Sequence, residues 1–269
     1  IVDTQNPTPG LIVQRGFVAN GELRVGDAVN IEVDITTREA TVRNHSGTHL
    51  LHAALRQVIG PQAMQKQEKE LRDRLPIDWV DYNTGDYQGA IEMFAKTLEQ
   101  ADTFTGSEAV LNQIKSEAHN GIAWSFFRLQ DLESAWNSFQ QATRLNRSNP
   151  DAWAGWAGVA LASGLHNDTV QFAIQAIEAD PDYNSGFRSD VGNRGLGHDQ
   201  FDDRHIRLML AEAYFHLGRY SAIDRADPHN AAAQMRLLEG SFTFEDPGQL
   251  IQEMSKVTLE LQQETTGGF

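Results

Sequence analysis

The stretch of this chain whose residue types and spacing point to chemistry is Asn44-His45-Ser46-Gly47-Thr48-His49-Leu50-Leu51-His52. Residues four apart on a helix lie one above the other, so the imidazoles of His45 and His49 fall on one face and can share a zinc ion. The same pair also serves as two hydrogen-bonded surface histidines, and zinc sites normally take three or four protein donors. His52 is seven residues from His45, two helical turns away and too far to join both on one ion. A second cluster, His198, Asp199, Asp202 and His205, reads as a weak metal site or a solvated polar loop. The chain has no cysteine, which removes disulfides, thiol catalysis and thiolate metal ligands. Gly192-Asn193-Arg194-Gly195-Leu196-Gly197 has no Lys-Ser/Thr pair and no strand pattern before it, so it is not a phosphate loop. No serine–histidine–acid set stands out by spacing.

The elements that must position these groups change character along the chain. The first forty residues read as strands. Ile31, Val33 and Ile35 alternate with Glu32 and Asp34, the period of a half-buried strand. Asn20-Gly21 is a hairpin turn signal between Leu11–Ala19 and Glu22–Val25. From Asn44 the period becomes helical, with Leu51, Leu55 and Val58 on one face, Gly60 at the expected cap and Pro61 as the stop. Residues 62–75 are polar and charged, a linker or a helix running on into the next region.

Beyond Pro76 everything reads as helix, in a repeating register. Gly85-Asp86-Tyr87 is followed by Ala90 and Phe94, and Gln130-Asp131-Leu132 by Ala135 and Phe139 at the same offsets. Gly164 follows Gln130 by 34 residues, and Gly218-Arg219-Tyr220 closes a further helix. The opening helices, read over 117–129, 151–163 and 205–217, carry large and small residues in turn: Ile122, Ala123, Phe126; Trp153, Trp156, Ala157; Leu210, Ala211, Tyr214. Small side chains between aromatic ridges let neighbouring helices approach closely. Asp180-Pro181 and Asp227-Pro228 end two units. On these residues the segment from 76 on resembles the tetratricopeptide repeat family. The resemblance implies a mainly α fold, a helical repeat superhelix that follows a small N-terminal β unit and a histidine-bearing helix. It also implies departures. Pro76 shortens the first helix, and residues 182–204 form a glycine-bearing insertion and mobile loop. Only ten residues between Gly218 and Pro228 are left for the last second helix. A final helix from Asp246-Pro247, with Leu250, Met254, Val257 and Leu261 in one stripe, caps the array.

The histidine motif sits in a more specific string. Val42 to Arg56, with Gly21-Glu22-Leu23-Arg24-Val25-Gly26-Asp27-Ala28-Val29 upstream, resembles the join between the linking β-barrel and the editing domain of the alanyl-tRNA synthetase family. That resemblance covers residues 1 to about 62. It implies that His45 and His49 are zinc ligands in a site that removes serine or glycine wrongly attached to alanine's tRNA. There the cation polarises the ester carbonyl and lowers the pKa of a water. It also implies a cysteine and a further histidine downstream. This chain has no cysteine and no Gly-Gly-Thr-His string, so the match stops before the site would be complete.

The domain reading is therefore residues 1–62, a 63–75 linker, and repeats over 76–269. Net charge is −15, and nearly all of it lies beyond residue 61. A body this acidic repels phosphate backbones, and also reads simply as a soluble surface. No run of about 18 apolar residues spans a membrane, and residues 1–10 carry no secretory signal pattern, so a cytoplasmic location is expected. The chain begins at Ile1 and is read as a fragment, a processed form or a joined sequence. Trp124, Phe126, Trp136, Trp153 and Trp156 read as repeat core rather than base-stacking platforms. The leading functional expectation is a scaffold that holds a peptide or protein partner on its first helices, with Asn83, Asn120, Trp124 and Arg207 as groove residues. The alternative is a zinc-dependent alanyl-tRNA editing hydrolase with tRNA as its partner, and a third reading is two joined segments.

Overall fold

The computed structural model describes residues 3–8, 11–15, 17, 18, 20–22, 24, 25, 27 and 60–266, apart from 105, 186–200, 221–226, 241 and 245. The chain forms two compact units, residues 1–58 and 59–269. In the first, β1 (Asp3–Thr8) pairs antiparallel with β2 (Leu11–Arg15), Asp3 opposite Arg15 and Gln5 opposite Val13. The partner of the segment from Leu11 is thus upstream of it, not across Asn20-Gly21 as expected. Gly21 does take a left-handed φ of 82°. The residues after it close locally, however, because the Asp27 carboxylate accepts from the Arg24 N–H at 2.7 Å and the Asp27 N–H donates to the Arg24 carbonyl at 3.1 Å. The alternating stretch 30–36 and the motif with His45 and His49 lie outside the described residues.

The second unit is mainly helical: α1 (Gly60–Asn83), α2 (Tyr87–Ala101), α3 (Glu108–Arg128), α4 (Leu132–Leu145), α5 (Pro150–Ala162), α6 (His166–Ala179), α7 (Asp203–His216), α8 (Ala231–Glu239) and α9 (Pro247–Thr266). Four of these helices end in the same way. Gly85, Gln130, Gly164 and Gly218 all have positive φ. In each case that residue donates to the carbonyl three back, and the next residue donates to the carbonyl five back from itself. Examples are Gly164 to Leu161 and Leu165 to Ala160, both at 2.9 Å. This left-handed closure satisfies the last carbonyls of the helix and turns the chain sharply. Asp86 and Asp131 then start the next helices by accepting from the N–H groups of Gly89 and Ser134. These local signals produce helix hairpins whose members pack on each other.

The first helices α1, α3, α5 and α7 also touch one another in sequence, whereas α2, α4 and α6 pack on the first helices and not on one another. Close approach depends on paired residue sizes. A Cβ on Gly121 would stand 2.2 Å from Cζ of Phe94, and one on Gly155 would stand 2.2 Å from Cζ of Phe139. These glycines are 34 residues apart, so one ring-into-backbone contact recurs in successive repeats. On α9 the stripe Leu250, Met254, Val257 and Leu261 is buried, and the helix packs on α7 and α8.

Three expectations need correction. Residues 63–75 are helical, and α1 runs through Pro76. An interior proline costs about 3 kcal/mol, but Leu71, Leu75, Trp79 and Tyr82 are each at most 4% exposed, and burial contributes about 2 kcal/mol per such side chain. The ion pair Arg72–Glu68 (3.0 Å) adds support before the proline. Helix α3 starts at Glu108, nine residues before its expected start, because Ile114 and Ala118 continue its buried face. The ends of the 182–204 insertion are framework: Ser185 donates to the Phe201 carbonyl at 2.8 Å and Asp203 to that of Tyr183 at 2.9 Å. Residues 221–226, where a shortened helix is expected, lie outside the described residues; beyond Pro228 the Asn230 side chain caps α8 at the Ala232 N–H, 2.9 Å away.

Candidate functional site

The four groove residues expected from sequence do not come together. Asn83 is exposed at the end of α1, and Arg207 on α7 is half-buried and paired with Asp203 at 3.2 Å. Asn120 and Trp124 are buried and offer no surface to a partner. The correction has a packing cause: first helices touch first helices, so polar groups on those faces bond across the stack. Asn120 Nδ2 donates to Asp151 Oδ2 at 2.6 Å, and the Tyr183 hydroxyl donates to Oδ1 of the same carboxylate. The Trp79 indole N–H donates to Glu117 Oε1 at 3.1 Å, and Asn149 Nδ2 to Glu117 Oε2 at 3.4 Å. Trp124 packs edge-on against Phe139, ring centroids 5.6 Å apart, and against Phe201 at 5.5 Å.

The structure instead opens a cleft of about 350 Å³ among α4, α5 and α6. Gln140, Thr143 and Arg144 line it from α4, Arg147 from the following turn, Trp153 and Trp156 from α5, and Gln171 and Gln175 from α6. Its floor is an aromatic stack. Trp156 lies on Phe172 with centroids 4.0 Å apart and planes 15° apart, and Trp153 lies on Trp156 at 5.6 Å. The Trp153 N–H donates to the Arg147 carbonyl at 2.8 Å, which holds the Arg147 backbone at the rim. The Trp156 N–H is buried and has no acceptor. Arg144 and Arg147 are exposed. The aromatic floor was legible as repeat core, but the polar wall was not singled out. Its signal is the helical spacing of Gln140, Arg144 and Arg147, repeated by Gln171 and Gln175.

The histidine clusters divide. His205 and Asp202 form the capping box of α7, His205 Nδ1 lying 2.8 Å from Asp202 Oδ1. Burial pushes the Asp202 carboxyl up, but the hydrogen bond and charge of His205, then those of Arg204, outweigh it and hold the group below the usual range. His198 and Asp199 lie outside the described residues, as do His45 and His49. Among the described residues, no three histidine or acidic side chains cluster as metal ligands. The zinc site that the editing-domain resemblance implies includes a cysteine, and this chain has none, so its donors do not fit that ligand set.

Among the described residues, no helix is long and apolar enough to cross a membrane. No family model matches the chain. The chain is similar to the alanine–tRNA ligase of Halorhodospira halophila, 41% identical over 104 residues, which is 39% of this chain and 11% of that protein. It is also similar to that of Sorangium cellulosum, 48% identical over 80 residues, 30% of this chain and 9% of the other. The matched stretch thus spans about a tenth of the curated relatives' length. Two solved structures align with it at low similarity. They are MamA (16% identity, 68% of this chain and all of that one, TM-score 0.32) and a putative Podospora anserina kinesin light chain with TPR-like repeats (14% identity, 74% and 97%, TM-score 0.44).

Proposed function

We propose that the chain is a protein-interaction scaffold whose tetratricopeptide-like helix pairs, expected to wind as a superhelix, hold a peptide or protein partner. Residues 1–62, in this reading, are a small β unit and a histidine-bearing helix of alanyl-tRNA-synthetase-like origin. The observation that carries the proposal is the open cleft among α4, α5 and α6, where hydrogen-bonding side chains stand over an aromatic floor. Clefts of about 300–1,000 Å³ with an apolar base and a few polar groups are where proteins take ligands. Asn83 and Arg207 are candidates for outlying contacts; Asn120 and Trp124 act by holding the stack. A cytoplasmic location and no membrane partner go with this reading. The test is site-specific photocrosslinking from Gln171 in the cleft, compared with exposed Glu99 on α2. A protein captured from Gln171 and not from Glu99, which then binds the intact chain in purified form, supports the scaffold. Equal capture at both positions, or none, overturns it.

A second reading rests on the identity to alanine–tRNA ligases: a zinc-dependent hydrolase that clears serine or glycine from alanine's tRNA, with His45 and His49 as metal ligands. Purified chain that contains no zinc and releases no serine from mischarged tRNA removes it.

A further inference from the structure

We propose that the cleft among α4, α5 and α6 reads a short protein segment in which acidic and apolar residues stand side by side. The proposal rests on the scaffold reading above and adds the chemistry of the partner. The first argument is charge. The chain carries 37 acidic residues against 22 lysines and arginines, and Arg72, Arg74, Arg204 and Arg207 are all paired with carboxylates. Arg144 and Arg147, side by side on the cleft wall, have no ion pair among the described residues. Arg144 also lies in the last turn of α4, where a cation complements the helix dipole, but Arg147 stands beyond the helix. A guanidinium presents a planar fork of donors that matches a carboxylate. Glu178, one turn beyond Gln175 on α6, already accepts from that glutamine at 2.7 Å.

The second argument is the floor. Trp153 is half-buried and stacks on Trp156, an apolar seat for an aliphatic side chain. The Trp156 N–H beneath it is buried without an acceptor, the exception among polar groups in folded proteins, and Trp156 itself is only 7% exposed. The third argument is the wall: the amides of Gln140, Gln171 and Gln175 each offer a donor and an acceptor to an extended main chain. Nucleic acid is the weaker fit, because a polyanion meets the net charge of −15 along its whole length, whereas a short peptide meets only the two arginines.

The test is fluorescence anisotropy of the intact chain with a labelled octapeptide of alternating glutamate and leucine, its glutamine-for-glutamate counterpart and its lysine counterpart. Expected is saturable binding of the acidic peptide, weakened about tenfold or more by neutralising the peptide or by R144Q/R147Q, with the melting curve of the variant unchanged. The Trp156 indole N–H resonance should also shift on binding. Equal affinity for acidic and neutral peptides, or an acidic peptide insensitive to R144Q/R147Q, overturns the acidic-segment proposal and leaves the scaffold reading standing. Failure of all three peptides overturns both. Binding of single-stranded DNA that R144Q/R147Q abolishes overturns the peptide assignment in favour of nucleic acid.

Discussion

The ring of Phe94 lies against the backbone of Gly121 so closely that a Cβ there would stand 2.2 Å from Cζ. The same relationship joins Phe139 to Gly155, one repeat later. Both rings are fully buried, so neither can swing into solvent to make room. Gly121→Ala and Gly155→Ala should each lower stability by about 1–3 kcal/mol, the usual cost of overpacking a tight core, even though alanine is the better helix former. Urea denaturation of each variant checks this, and a gain in stability from either would contradict the contact.

Gln130 is the one non-glycine residue with positive φ (62°) among the described residues, at the turn position that Gly85, Gly164 and Gly218 fill elsewhere. The left-handed conformation costs an ordinary residue about 1–2 kcal/mol. Gln130→Gly should therefore raise the thermal midpoint by a few degrees, measured by circular dichroism. Its side chain reaches only the Phe127 carbonyl at 3.4 Å, so little is lost with it.

Helix α6 lacks a side-chain cap: Leu165 stands where the preceding repeat has Asp131, 34 residues earlier, and makes no capping bond. Asp131 shows what a carboxylate does there, its pKa held below the usual range by hydrogen bonds from Ser134. Leu165→Asp should stabilise the chain by about 1 kcal/mol at neutral pH. The gain should shrink as acid protonates the new carboxyl.

Asp78 is buried on α1, accepts from the Thr97 hydroxyl at 2.6 Å and lies 3.6 Å from Arg74. Burial pushes its pKa up to about 6, against the partial opposition of Thr97 and Arg74. A folded-state pKa above the unfolded value means the folded chain binds more protons in between. Stability from this group is full below the unfolded value of 3.8 and is lost as pH rises to about 6. Asp78→Asn keeps the acceptor for Thr97 and removes the buried charge. It should be more stable than the parent by a few kcal/mol at pH 7, with the difference closing toward pH 4. Chemical denaturation at both pH values measures it.

Most of the repeat architecture was legible from local residues. A left-handed turn, a capping aspartate and a proline act within a few residues, so Gly85, Gln130, Gly164 and Gly218 marked their turns without any knowledge of the neighbours. The Leu250–Leu261 stripe also announced a one-sided helix. The hairpin at Asn20-Gly21 was misread because that turn signal outweighed the weaker strand pattern of Asp3–Thr8, which is separated from Leu11 by only two residues and is the observed partner. The candidate histidines at 45 and 49 rest on the string alone.

What tertiary structure decided is which faces meet. Pro76 stays inside a helix because four large side chains on α1 are buried against its neighbours, a gain no local propensity contains. Asn120 and Trp124 moved from an imagined groove into the core, because the first helices pack on one another and enclose their shared face. Gln140, Arg144, Arg147, Trp153, Gln171 and Gln175 became one cleft only when three helices were set side by side. Sequence by itself determined the mainly helical repeat character and the turns, because those depend on backbone preferences and periodicity. Burial, hydrogen-bond partners and the candidate binding surface depend on residues far apart in the chain, so only the packed structure decided them.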